Sequence, residues 1–161
     1  MLVLGIDPGS LTTGYGLVEK KDNRLIYVGA GKISFSYSLP FSERIYKIYK
    51  SLLEVIQTYH PEEVSIEDIF FAKNVKSALK IGHARGAALI AAIQRGLKVF
   101  EYTPLQIKQS VVGYGRATKE QVRSMVTLIL KLDNQKFSLD TSDALAIAIC
   151  HHNWVRFEDT N

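Results

Sequence analysis

The chain opens with an apolar run that stops on an acid. Leu2-Val3-Leu4-Gly5-Ile6 leads into Asp7, and Asp7-Pro8-Gly9-Ser10 has the composition of a turn. The run is too short for a helix of ordinary length and reads as a short buried strand over residues 2–7. The pattern recurs at Val64-Ser65-Ile66, which closes on Glu67. A third apolar tract, Ala144-Leu145-Ala146-Ile147-Ala148-Ile149, is led in by Asp140 and Asp143. Carboxylates that converge from separate elements repel one another unless a cation lies between them. Hard oxygen ligands of this kind suit Mg²⁺ or Mn²⁺, and two such ions side by side support phosphodiester hydrolysis.

The rest of the pattern fills in an α/β domain. Residues 13–20 and 25–35 are rich in β-branched and aromatic residues and read as two further strands. Ile45, Ile48, Tyr49, Leu52, Val55, Ile56 and Tyr59 recur at helical spacing, with Pro61 beyond them. A strand follows over 63–67, a long helix from about Val75 to Gln94, and a strand over Leu97–Tyr102. Thr103-Pro104 opens a short helix to about Val112. Thr118 with Gln121 forms a capping box for a helix to about Leu132. Asp133–Leu139 reads as a loop, and the last helix covers about Asp140 to Trp154.

Three strands followed by alternating helix and strand predict a mixed five-stranded sheet flanked by helices. The first three strands are expected antiparallel, and the later ones parallel to the first through right-handed crossovers. Asp7 and Glu67 then meet at one sheet edge if strands 1 and 4 are neighbours. One domain over 1–156 is expected, with 157–161 as a frayed tail.

Composition narrows the function. No apolar stretch approaches the length of a membrane span, and the first residues predict no signal peptide. Cys150 is the only cysteine, so no disulfide framework exists and a reducing cytoplasm is expected. The net charge of +4 leans toward a polyanionic partner. Each acid also has a purely structural reading. Asp before Pro-Gly is a common turn residue; Asp at a helix start is a common cap; Glu67 can be a solvated strand end. Asp140 and Asp143 are three apart, which places both on one helix face.

The ordered motifs resemble the RuvC-type Holliday junction resolvases. Gly5-Ile6-Asp7-Pro8-Gly9-Ser10 with Thr13-Gly14-Tyr15-Gly16 resembles their opening. Glu67-Asp68-Ile69-Phe70-Phe71-Ala72-Lys73-Asn74 resembles their second acidic segment, and Ala84-Arg85-Gly86 their central helix. Phe100-Glu101-Tyr102 and Ile107-Lys108-Gln109-Ser110-Val111-Val112-Gly113 resemble their basic segment, and Asp143-Ala144-Leu145-Ala146-Ile147-Ala148 their closing motif. The resemblance implies a ribonuclease-H-like fold and a homodimer. That dimer nicks two strands of like polarity in a four-way DNA junction, leaving 5′-phosphate and 3′-hydroxyl ends. Asp7, Glu67, Asp140 and Asp143 become the catalytic acids and the ligands of two Mg²⁺ ions, with Mn²⁺ able to substitute. It further implies a RuvA–RuvB branch-migration complex as partner.

By the same resemblance Lys108 and Lys119 contact phosphates or developing charge, and Phe70 stacks on a base; Phe71 is left open between DNA and core. Lys73, Lys76, Lys80, Arg116 and Arg123 are candidates to widen the DNA-binding surface. His60, His83, His151 and His152 read as surface or helix residues. In the central helix, Val75, Ala78, Leu79, Gly82, Gly86, Leu89, Ile90 and Ile93 form one apolar stripe, which packs either on the sheet or on a second copy. Two other functions share the pattern: another ribonuclease-H-like nuclease acting on RNA–DNA hybrids or in strand transfer, and a non-catalytic junction-binding module. A sugar-kinase or actin-like ATPase needs a second lobe that 161 residues leave no room for.

Overall fold

A computed structural model describes residues 1–68, 74–132 and 137–158, with side chains in the last helix to Val155. Among these residues the elements run β1 (Leu2–Asp7), β2 (Thr12–Lys21), β3 (Arg24–Ser34), α1 (Phe41–Tyr59), β4 (Glu63–Glu67), α2 (Val75–Gln94), β5 (Lys98–Tyr102), α3 (Pro104–Val112), α4 (Lys119–Ile129) and α5 (Leu139–Glu158). The sheet order is β3-β2-β1-β4-β5. β1 pairs antiparallel with β2 and parallel with β4. β2 pairs antiparallel with β3, and β4 parallel with β5. The mixed sheet expected from the pattern is present, and β1 and β4 are neighbours, the condition for Asp7 and Glu67 to meet.

Strand alternation sorts the side chains into two cores. Leu4, Ile6, Val64 and Ile66 lie in one cluster with residues of α1 and α2. Val3 lies in the other, with residues of α3, α4 and α5. Asp7 is in phase with Val3 and Gly5, and Glu67 with Glu63 and Ser65. Both acids therefore belong to the face that α5 covers. Gly5 shows how tightly. A Cβ there would sit 2.1 Å from the Ala144 carbonyl oxygen of α5.

Local signals set the helix starts. Thr103 and Thr118 each close a capping box, with Gln106 and Gln121. Asn74 caps α2 by accepting from the Lys76 and Ser77 amides. Two ends differ from expectation. α4 stops at Ile129 rather than near Leu132, because Leu130 caps it and Lys131 takes a left-handed φ of 52°. α5 begins at Leu139 and reaches Glu158, past the expected end at Trp154 and into the stretch expected to fray. Ser138 caps α5, accepting from the Thr141 amide at 3.3 Å.

His151 and His152 lie on a helix, one of the two placements expected, and are fully buried there. His151 bonds the Tyr102 hydroxyl through Nδ1 at 2.7 Å and Glu63 Oε2 through Nε2 at 2.7 Å, joining α5 to β4 and β5. His152 donates Nε2–H to the Val18 carbonyl at 2.9 Å, and burial holds its pKa down at about 4. His60 and His83 are exposed. Cys150 is a buried core residue, its thiol pushed up to about 12 by burial.

Candidate active site

Asp7 ends β1 and Glu67 ends β4. The β1–β4 register pairs Ile6 with Ile66, so the next step sets the two acids side by side. The turn after Asp7 is tied without it. Thr13, fully buried, donates its hydroxyl to the Gly9 carbonyl at 2.8 Å and accepts from the Gly9 amide at 3.3 Å. Among the described residues the Asp7 carboxylate makes no hydrogen bond, so it is not in the structure as a turn former.

α5 brings the other acids. In the β1–β2 register Asp7 faces Gly14. A Cβ on Gly14 would sit 2.2 Å from the Asp140 carbonyl oxygen. Glycine at this position is what lets the first turn of α5 lie directly beside Asp7. Because Ser138 is the cap, Asp140 is free of the capping role that would explain it structurally. Asp143 follows one turn on, half-buried.

The electrostatics record the crowding. Asp7 is raised from 3.8 to about 7, first by burial, then by the charges of Glu67 and Asp143, with a smaller push from Asp140. Glu67 is also raised, by burial and then by Asp143. Lys119 counters both, and Lys108 adds its pull on Glu67. Lys119 Nζ donates to Asp143 Oδ2 at 2.7 Å, and this bond raises the lysine's own pKa. Glu67, Lys108, Lys119 and Asp143 line a cleft of about 210 Å³ whose apolar walls include Pro104, Ile107 and Val122.

The donor set is all carboxylate oxygen and is electrostatically frustrated without a cation, which fits a hard divalent ion. Among the described residues no three acids yet stand close enough together to share one. Lys119 occupies Asp143 instead.

Other sequence-derived candidates fall in three groups. Lys108 and Lys119 are in the cleft with the acids. Lys76 and Lys80 on α2, Arg116 before α4 and Arg123 on α4 are exposed and outside the cleft lining. Phe70, Phe71 and Lys73 lie outside the described residues. Sequence reasoning assigned no role to Arg85. Its Nε donates to the Glu67 carbonyl at 3.4 Å, and its guanidinium pairs with Glu101 at 2.5 Å and approaches Asp68 at 3.9 Å. It braces the ends of β4 and β5 from α2. A lone arginine on an otherwise apolar and small-residue helical segment, Ala84–Ala92, was the available signal.

A central parallel β1–β4 pair, antiparallel β2 and β3, and acids on the last helix define a ribonuclease-H-like nuclease fold. The family described as crossover junction endodeoxyribonuclease RuvC matches residues 3–151. The chain belongs to this family. RuvC of Citrifermentans bemidjiense is 54% identical over 151 residues, covering 94% of this chain and 92% of its own. RuvC of Geotalea uraniireducens is 52% identical over 153 residues, covering 95% and 89%. Thermus thermophilus RuvC in complex with a Holliday junction substrate superposes with a TM-score of 0.92 at 38% identity, covering 98% of this chain and 96% of that one. The yeast mitochondrial Holliday junction resolvase shares the fold, with a TM-score of 0.68 at 14% identity. Among the described residues no helix is long and apolar enough to cross a membrane.

Proposed function

We propose that this chain resolves four-way DNA junctions by paired, symmetric nicks in strands of like polarity, as one nuclease domain over residues 1–156. The observation that carries the reading is the crowding of Asp7 with Glu67 and Asp143, the last two lining a cleft that also holds Lys108 and Lys119, in a chain of the RuvC family. A pair of divalent cations, Mg²⁺ or Mn²⁺, held by Asp7, Glu67, Asp140 and Asp143 would supply an acidified water and neutralise the leaving 3′ oxygen. The chain's own groups do the rest. The acids at the strand ends fix where the reacting phosphate lies. Lys119, bonded to Asp143 in the cleft, meets phosphate charge. Lys108, also in the cleft lining, holds the flanking backbone. Phe70, three residues past Glu67, is assigned to stacking on an unpaired base.

Paired nicking needs two sites, and α2 offers the surface for a second copy. Its alanines, Ala84, Ala87, Ala88, Ala91 and Ala92, are the buried face. Val75, Leu79, Ile90 and Ile93 are 76%, 59%, 62% and 62% exposed. Gly82 and Gly86, one turn apart, have nothing within 4 Å of an added Cβ. An apolar stripe with two bare glycines fits close approach of an identical helix about a two-fold axis. Family membership further supports a RuvA–RuvB complex as the assembly that delivers the junction.

The test is nicking of a synthetic four-way junction, with and without Mg²⁺, beside linear duplex and an RNA–DNA hybrid. Mg²⁺-dependent cleavage of the junction alone is expected. Preferred cleavage of the hybrid would make the chain a ribonuclease of the same fold, and binding without cleavage would leave a junction-binding module.

A further inference from the structure

We propose that the outer rim of β2 and β3, built from Lys32, Ser34 and Thr12, is a second phosphate-binding track. It would hold the cleaved strand on the side of the acids away from Lys108 and Lys119. The inference rests on the nuclease reading and adds a contact surface to it.

The register places the rim. Asp7 pairs with Gly14, and Gly14 with Lys32, so the three stand abreast across β1, β2 and β3. Ala30 packs into the core that α5 covers. Lys32 and Ser34 are in phase with it, so they lie on the same sheet face as Asp7. Two strand spacings put Lys32 about 10 Å from Asp7. That is within reach of a phosphate close to the scissile one on the same strand. Ser34 pairs with Thr12, two residues further along than Gly14, so the rim continues past the level of Asp7. Their hydroxyls are 3.4 Å apart.

Charge and exposure suit a backbone contact. Lys32 and Ser34 are exposed, and Lys32 makes no ion pair among the described residues. No acid occurs between Asp7 and Glu19 or between Asp22 and Glu43. Arg44, buried, donates to the Ser10 carbonyl at 3.4 Å and adds positive charge behind the turn. Ser36, Tyr37 and Ser38 continue the polar edge, with Tyr37 83% exposed. Lysine and hydroxyl side chains are residue types that position phosphates without reading bases, and Asp140, which packs over Gly14 beside Lys32, forms no ion pair with it among the described residues. The cleft lysines cover one side of the acids only. A strand crossing the acids needs a second hold to keep the scissile phosphate in line.

The experiment measures junction affinity in metal-free buffer from 50 to 200 mM salt for the full chain, Lys32→Ala, Ser34→Ala and Lys32→Glu. One lost phosphate contact should lower the slope of log affinity against log salt by about 0.9, so Lys32→Ala should lose about 3.5-fold less affinity than the parent over this range. Lys32→Glu should bind more weakly still, and the melting temperature should not move. Neutral methylphosphonates are then placed singly at the three phosphates on each side of the scissile one. One position should weaken the parent and leave Lys32→Ala unaffected. Unchanged slopes, or equal methylphosphonate costs in parent and variant, would overturn the track while parent nicking leaves the nuclease reading standing. A parent that neither binds nor nicks the junction would remove both.

Discussion

Replacing Asp7 with asparagine should stabilise the protein at neutral pH while abolishing cleavage. The Asp7 carboxyl is raised from 3.8 to about 7 by burial and by Glu67, Asp143 and Asp140. A raised acid pKa means that the folded state holds a proton the unfolded state has released. Stability from this group is therefore complete below about pH 4 and lost as pH rises toward 7. At 1.36 kcal/mol per pKa unit the ceiling is about 4 kcal/mol. Asp7 is only half-buried, so solvent screens part of the repulsion, and about 2 kcal/mol is the working figure. For a chain of this size that corresponds to about 4–8 °C in melting temperature.

The assay is thermal unfolding of parent and Asp7→Asn at pH 4 and pH 8, with and without Mg²⁺. The variant should melt well above the parent at pH 8 without metal and near it at pH 4. Mg²⁺ should raise the parent and close the gap. Junction binding should survive, tightened by removal of a negative charge near phosphates. A variant that melts below the parent at pH 8, or a difference independent of pH, would mean that the carboxylates do not crowd.

Lys119→Ala and Lys108→Ala should each slow nicking. If Lys119 meets phosphate in the bound state, its loss should also lower the salt slope of binding by about one, which a salt titration reads directly. Gly86→Leu should weaken the dimer in sedimentation without lowering the melting temperature of the protomer, since nothing lies within 4 Å of its Cβ position. Phe70→Ala should impair nicking more than binding, because stacking is worth about 1–3 kcal/mol against many phosphate contacts. Mismatches at the junction centre should partly rescue it, and a large drop in melting temperature with no rescue would make Phe70 a core residue. Gly14→Ala should reduce nicking and melting temperature together, because a Cβ 2.2 Å from the Asp140 carbonyl forces α5 off β2; unchanged nicking would show that Asp140 need not lie there.

The strands and the candidate acids were legible because both write themselves into local pattern, whereas the β1–β4 neighbourhood stood only as a condition, which the structure meets. Alternation at Glu63-Val64-Ser65-Ile66-Glu67 puts the charged and hydroxyl residues on one face and the apolar ones on the other, and the structure keeps that division. The N-cap at Thr103 and the capping box at Thr118 were equally visible. The orientation of α2 was not. Periodicity finds the stripe Val75–Ile93 but cannot say what it faces, and the larger side chains face solvent while alanines meet the core. Close approach decides this: small residues let α2 lie near the sheet and α1. Buried His151 was illegible for a related reason. Its partners Glu63 and Tyr102 lie 88 and 49 residues away in sequence. Arg85 likewise acts through groups that only the β4–β5 pairing brings together.

The site and the core depend on the same helix. Ala144 through Cys150 are all buried, and α5 packs against β1 and β2 on one side and α3 and α4 on the other. It seats directly on Gly5 and Gly14, where any Cβ would overlap its backbone, and packing on both sides holds it there. That rigidity has an electrostatic consequence. Acids on flexible loops would relieve their repulsion by moving apart. Asp143, fixed one turn into a helix whose next seven residues are buried, can do so only through its side chain, and it turns to Lys119. Asp7 and Glu67, fixed at strand ends, have no such exit and hold their protons more tightly instead. The packing of α5 thus keeps the carboxylates in a state that a divalent cation relieves, and the apolar burial of the same helix offsets the destabilisation they cause. A substitution that loosens α5 would let the acids relax apart, so such a variant should lose metal affinity even where the fold survives.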